Sequence, residues 1–351
     1  VVSRNDNDVR VTRRSSATPS IRDVAAAAGV SYQTVSRVLN DSPNVNPDTR
    51  RQVLDVIERL GYRPNRAARA LGSGRPSSVT VVIANTTLYG YASTLQGIEE
   101  AARSAGLAVG VRVVESDRPV DVRHAVEYVS DPNAGGIVVI AFDAAGAGVL
   151  RALPADVPAV AATEAGGLGD ISRSMIFLDE RQAAEDATRY LLSLGHRTVH
   201  HVAIPSETGT SARQAGWRKT LETAGAPVPA VVPAGWDARS AYLAGRRLAA
   251  DPAVTAILCG NDDTALAVRR ALHEAGRDVP GDVSIIGFDD VPGAAYWTPA
   301  LTTVRMDFVS LGHACLAAIA AEVAGMPQPV VELSAPSLVI RESTAPPRGD
   351  G

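Results

Sequence analysis

Residues 20–40 read SIRDVAAAAGVSYQTVSRVLN, and their local chemistry spells two short helices joined by a turn. Ser20 can cap the first helix, and Asp23, three residues on, can complete a capping box. Ala25 is small enough for two helices to approach closely. Gly29 stands where the turn needs a residue that tolerates positive φ. Ser31 can cap the second helix, whose buried stripe is Val35, Val38 and Leu39. Tyr32, Gln33, Ser36 and Arg37 are then left facing outward near the start of that helix. In a helix-turn-helix this end enters the DNA major groove, so the expected partner is duplex DNA. The bland alternative is a surface helical hairpin with an incidental arginine; cap, turn glycine, small residue and outward polar set coincide against it.

Working outward, Asn46-Pro47 offers a cap followed by proline at the first helical position. A third helix is expected through RRQVLDVIERL to Gly61, with Val53, Val56, Ile57 and Leu60 spaced to cover the other two. GSGRPSS (72–78) reads as a linker. The polar N-terminal stretch lacks an apolar signal core and reads as a disordered arm, with export not expected and a cytoplasmic location implied. Its Arg10, Arg13 and Arg14 could touch phosphate or be simply solvated. The expected partition is an arm (1–18), a headpiece (19–63), a hinge and linker (64–78), a core (79–345) and a tail (346–351).

The charge of the 351-residue chain is unevenly spread. Through Arg75 there are 13 arginines against 7 acidic residues, net +6, while the remainder nets −10. A basic head on an acidic body is what phosphate contacts ask of one end only. Cys259 and Cys315 lie in apolar segments without metal spacing and read as reduced core residues. No apolar run reaches membrane-spanning length; Asp143 interrupts the best one.

After the linker the pattern becomes strand–helix alternation. VTVVIA (79–84), LAVGVRVV (107–114), GIVVIA (136–141) and VPAVAA (157–162) read as buried parallel strands, with helices near 92–105, 121–130 and 145–152. The alternation repeats with strands at MIFLD, 198–204, 254–259 and 283–288, and helices near 180–193, 211–224, 238–250 and 262–275. The fold class expected is α/β: an all-α headpiece plus two doubly wound parallel-sheet lobes. Ligands of such sheets sit beyond the strand C-termini, which points to a cleft between the lobes.

Catalysis finds no support. There is no GxSxG elbow, no HExxH and no CxxC, and Lys219, the lone lysine, follows Arg218 rather than a Walker glycine. His200 and His201 are adjacent on a strand, point to opposite faces and cannot chelate together. Gly146-Ala147-Gly148 lacks the rest of a dinucleotide fingerprint. No cofactor, no metal and no membrane are expected.

The stretch VSYQTVSRV, and GYRPNRAARAL at 61–71 with its Tyr62, Pro64, Asn65, Ala68, Arg69 and Leu71, resemble the lac-repressor (LacI/GalR) family of bacterial transcription regulators. The likeness runs from about Ser20 to about Ser343. It implies a periplasmic-binding-protein-like core whose lobes are joined by three crossovers, near 175–178, 303–307 and 330–335. It implies a hinge helix that orders on operator DNA, with Asn65, Arg66 and Ala68 at the DNA and Leu71 inserted in the minor groove. It also implies a homodimer on a near-palindromic operator. The last residues, TAPPRGDG, carry no heptad helix for a tetramer.

The same resemblance assigns pocket residues. Arg213, in ARQAGW, matches the family's arginine that forks onto ligand hydroxyls, for which a planar guanidinium is suited. Asn261 and Asp289 follow strands directly and match pocket positions; each could instead cap a helix or turn, as could Asp262 and Asp290. Trp236 aligns with a tryptophan that packs on a sugar's apolar face, or is core. Phe308 is a second apolar wall or core. Met306 departs from the family, standing where a polar glutamine would supply an amide. Thr163 and Glu164 stand near the place of a ligand-contacting aspartate. Tyr89 and Tyr91 could stack on sugar or merely cover the lobe.

The function implied is repression switched by a small sugar, a galactoside or related glycoside, that closes the lobes and releases the operator. Open alternatives are a purine or phosphorylated-sugar co-repressor, a sugar-binding transport protein, and a nucleoid-type DNA binder with a vestigial core.

Overall fold

A computed structural model describes residues 19–39, 41–62, 78–130, 135–165, 168–169, 171–206 and 210–348. The chain divides into two compact units, Val1–Arg75 and Pro76–Gly351.

In the first unit, α1 (Ile21–Ala27), α2 (Tyr32–Leu39) and α3 (Pro47–Leu60) follow the local signals. The Ser20–Asp23 capping box is formed in both directions. Gly29 takes φ +62° in the turn. Ser31 Oγ accepts from the Thr34 amide at 3.1 Å and so caps α2. Asn46 caps α3, and Gly61 ends it at φ +63°. Val24, Val35, Val38, Val53 and Val56 form the buried centre, with Leu39, Ile57 and Leu60 packed around it. Gln52 donates to the Ala28 carbonyl at 3.0 Å, holding α3 across the end of α1. The hinge positions Asn65, Arg66, Ala68 and Leu71 lie outside the described residues.

The second unit holds two sheets. The first contains β1 (Ser78–Ile83), β2 (Ala108–Val113), β3 (Gly136–Ala141), β4 (Ala159–Thr163) and β5 (Met175–Ile176), ordered β2-β1-β3-β4-β5 and parallel throughout. Its helices are α4 (Tyr89–Ser104), α5 (Pro119–Val129) and α6 (Ala144–Ala152). The second sheet adds β6 (His200–Ala203), β7 (Val232–Pro233), β8 (Ala256–Cys259), β9 (Ser284–Asp289), β10 (Thr302–Arg305) and β11 (Ser337–Val339), ordered β11-β10-β9-β8-β6-β7. There α7 (Glu180–Ser193), α8 (Ala212–Thr223), α9 (Ala238–Ala249) and α10 (Asp262–Glu274) supply the crossovers. Every described pairing is parallel except β10 with β11.

Several expectations need correction. LAVGVRVV forms an edge strand, not a buried one: Val111 and Val113 are exposed because β2 pairs on one side only. MIFLD contributes only two strand residues. Residues 302–305 are strand β10, so the chain leaves the second lobe at Met306–Asp307, after that strand. The segment then enters an unforeseen helix, α11 (Phe308–Val323), which packs on α4 of the first lobe. That packing is close. A Cβ at Gly97 would collide with the Val309 backbone, and one at Gly312 with the Thr94 carbonyl. Cys259 and Cys315 are both buried free thiols, and burial raises both.

Candidate functional site

The outer face of α2 is an exposed polar surface of the headpiece. Tyr32, Gln33 and Arg37 are exposed on α2, while Val35 and Val38 anchor its other face. Ser36 is only partly exposed, because it lies between the buried Val35 and the outward Arg37. Arg37 sits in the last turn of α2 rather than near its start. The exposed face therefore runs the length of this eight-residue helix.

In the core, Arg213, Trp236, Asn261, Asp289 and Phe308 line one narrow cleft between the lobes. All five sit where an element begins or ends. Arg213 is the second residue of α8, Asn261 follows β8 and caps α10, Asp289 closes β9, Trp236 follows β7, and Phe308 opens α11. Asn261 caps α10, its Oδ1 accepting from the Thr264 amide at 2.8 Å, and the residue also lines the cleft. Asp289 and Asp290 both take positive φ, +106° and +55°, turning the chain out of β9. Asp290 is structural, its carboxylate held by Arg305 at 2.7 Å and Arg341 at 2.6 Å.

The two walls differ in chemistry. The first lobe presents aromatic edges: Tyr91 meets Phe142 edge-on at 5.1 Å, Phe142 lies 6.1 Å from Phe308, and Phe308 lies 6.2 Å from Tyr89. Gly90 leaves room for the Phe308 ring, which a Cβ there would meet at 3.0 Å. The second lobe presents charge. The Arg213 guanidinium donates to Glu180 Oε1 at 2.9 Å and to the Gly260 carbonyl, lies 3.6 Å from Asp289 Oδ1, and stacks 4.5 Å above the Phe288 ring. Contacts also span the cleft: Trp236 meets Tyr91 edge-on at 6.2 Å, and Ser206 Oγ donates to Glu164 Oε2 at 3.3 Å.

Burial dominates the electrostatics. Desolvation alone would lower the Arg213 pKa, but Glu180 and Asp289 outweigh it and hold the guanidinium charged. Burial pushes Asp289 well above the ordinary carboxylate range despite Arg213. Glu164 is pushed up to about 8 by burial and by the Glu180 charge. Arg213 Nε, Glu180 Oε2 and Asp289 Oδ1 are buried with no hydrogen-bond partner. Unpaired polar atoms of this kind are costly unless a ligand or water completes them.

Sequence reading missed Glu180, which looks like an ordinary acidic residue in the first turn of a helix. It also left the tyrosines undecided. Tyr91 is buried and donates to Asp143 Oδ2 at 2.7 Å, an internal tie made beneath the aromatic wall. Met306 is buried in the main core cluster and is not part of the cleft wall. His201, buried, bonds the Leu258 carbonyl at 2.9 Å and is held neutral, its pKa lowered to about 4 by burial. Among the described residues no helix is long and apolar enough to cross a membrane.

Two family models match: bacterial regulatory proteins of the lacI family over residues 20–65, and a periplasmic binding protein-like domain over 188–344. Among curated relatives, catabolite control protein A of Priestia megaterium is 32% identical over 84% of this chain and 89% of its own length. The lactose operon repressor of Escherichia coli K12 is 31% identical over 93% and 91%. The crystal structure of the lac repressor dimer bound to operator and the anti-inducer ONPF matches with a TM-score of 0.84 at 28% identity, over 94% of this chain and all of that one. A complex of the transcriptional regulator CelR with cellobiose matches at 0.68 and 28%, over 93% and 99%. Headpiece, two-lobed core and these relatives agree, and the chain belongs to the lacI family of bacterial regulatory proteins.

Proposed function

We propose that this protein is a transcriptional repressor. It binds operator DNA as a homodimer, and a small sugar held between the lobes switches that binding. The observation that carries the reading is the pairing of walls in the cleft. Arg213, Asn261 and Asp289 bring donors and acceptors from one lobe, opposite an aromatic wall with Trp236 at its rim. A pyranose has the same two characters, hydroxyl edges and flat C–H faces. A galactoside or related glycoside is the sugar that the family resemblance favours. Phosphorylated sugars fit poorly, since Arg213 is the single cation among the described residues of the cleft and Glu164, Glu180 and Asp289 surround it.

At the DNA, Arg37 can reach guanine bidentately, with Tyr32 and Gln33 on neighbouring pairs and Ser36 at the margin. One three-helix headpiece makes few base contacts, and a two-fold pair reading two half-sites would supply the rest. Asn65, Arg66, Ala68 and Leu71 are proposed to complete the contact in the minor groove. A sugar that prefers the closed core shifts the dimer away from the arrangement that grips operator, in proportion to its differential affinity. Relatives supply both halves of the reading, the lac repressor dimer bound to operator and CelR bound to cellobiose.

The test is calorimetry of the full chain against mono- and disaccharides, with Arg213→Ala and Asp289→Ala beside it. One sugar is expected to bind, and both variants to lose at least about tenfold in affinity, as expected for a lost charged hydrogen bond. Binding of that sugar with equal affinity by all three proteins overturns the assignment.

A further inference from the structure

The cleft has more acid than its neutral hydroxyl partners call for. Glu180 and Asp289 are more than nine-tenths buried, Glu164 is largely buried, and the single guanidinium of Arg213 faces all three. Of these three carboxylates Arg213 hydrogen-bonds directly only to Glu180, at Oε1. Glu180 Oε2 and Asp289 Oδ1 have no hydrogen-bond partner, the latter held only by the longer 3.6 Å ion pair to Arg213, and among the described residues Glu164 receives the hydroxyl of Ser206. Asp143, behind the opposite wall, is already occupied by Tyr91 and the Gly146 amide. Burying two carboxylates beyond the available positive charge is expensive unless each is protonated or a cation joins them. The described acidic groups are not set out as a metal cage.

We infer that the ligand of the cleft carries a protonated amine: an amino sugar, either a hexosamine or a glycoside of one. Its ammonium lies against Glu164 and the open oxygen of Glu180, while its hydroxyls engage Arg213, Asn261 and Asp289. The inference rests on the reading that the cleft binds sugar, and narrows it. An ammonium provides three donors and one charge in a compact group, matching two acceptors left open on adjacent carboxylates. Among the described residues, the groups facing Glu164 are Glu180 and Arg213 from the second lobe, Tyr91 from the first, and the Ser206 hydroxyl. Of these only Arg213 is positive, and it is already bound to Glu180. Burial and the Glu180 charge push the Glu164 carboxyl up to about 8, which favours its protonated form at pH 7. An ammonium docked on it would favour the carboxylate, so amine binding should release a proton at pH 7, whereas a neutral hexose should not.

The experiment titrates the full chain with glucosamine, galactosamine and mannosamine, each beside its parent hexose and its N-acetyl form. It is run at pH 7 in two buffers of different ionisation enthalpy. One amine is expected to bind at least about tenfold tighter than both its parent and its N-acetyl form, the scale of one charge-assisted hydrogen bond. Its binding enthalpy should differ between buffers by the amount that net proton release requires. Glu164→Gln, with an unchanged circular dichroism spectrum, should lower the ratio of amine to parent affinity by at least about tenfold. If a parent hexose or N-acetyl sugar binds as tightly as its amine, the amine inference falls and the sugar reading stands. If no sugar of either kind binds, disaccharides included, the sugar reading falls and takes this inference with it.

Discussion

The α2 surface and the interlobe cleft are both recognition sites in the proposed account, yet they are built in opposite ways. On α2 the recognition side chains point into water and are separate from the valines that hold the helix. In the cleft the recognition side chains are themselves buried, and each stabilises or burdens its neighbour. A DNA-reading surface meets a polar, hydrated partner and can stay solvated until contact. A sugar cleft must exclude water, so its charges are paid for within the fold. Changes on α2 should therefore alter recognition and leave stability nearly untouched, while changes in the cleft should alter both.

The largest effect is expected from Arg213→Leu. It leaves Glu180 and Asp289 buried without their cation, and breaking such a pair from one side costs about 3–5 kcal/mol. Urea unfolding followed through the core should report a loss of that order; a loss under about 1 kcal/mol would mean the carboxylates simply neutralise. Next comes the pH dependence set by Glu164. Its folded pKa of about 8 exceeds the ordinary 4.5, so the native state keeps a proton that the unfolded chain has lost in between. Stability should then fall as pH rises from 5 to 8 and be free of this penalty below 4.5. Glu164→Gln should remove Glu164's share of the slope and leave that of Asp262 and Asp289, which burial also raises, and parallel curves for the two proteins would contradict it.

On the headpiece, Arg37→Ala should relax base choice at one position per half-site by about 1–3 kcal/mol. Its thermal stability should stay within about 0.5 kcal/mol of wild type. A binding profile across all single-base operator variants checks the first part and a melting curve the second. Smallest is Ser20→Ala, which removes a reciprocal capping box and should cost the headpiece about 1 kcal/mol. A shift of that size in headpiece melting, with base preference unchanged, would separate scaffold from reader on the same hairpin.

The contrast also explains what could be read in advance. Every headpiece signal is local: Ser20 with Asp23, Ser31 with Thr34, and Asn46 with Pro47 act within a few residues. The long apolar strands were legible for the same reason, because β1 and β3 are almost wholly buried runs. β10 overlaps the crossover expected near 303–307 because TTVR is too short and polar to stand out as a strand, and the three-residue β11 is too short to stand out at all. Helix α11 escaped because FVSLGHACLAAIAAEV buries residues around most of its circumference and shows no clear apolar stripe. In the cleft, Arg213, Asn261 and Asp289 were reached through family resemblance. Glu180 lies 33 residues from Arg213, and Tyr91 lies 52 from Asp143, with nothing local to mark either pairing.

The central claim is that the cleft governs the headpiece, and one measurement meets it directly. The full-length protein is first allowed to select its operator from a random palindromic pool. Operator affinity is then followed by fluorescence anisotropy while the sugar identified by calorimetry is titrated, for wild type and for Asp289→Ala. The account predicts that saturating sugar weakens wild-type binding by at least about tenfold, a coupling of ordinary allosteric size, with a much smaller response in the variant. Operator affinity that stays constant while sugar fills the cleft, or that rises, would contradict it.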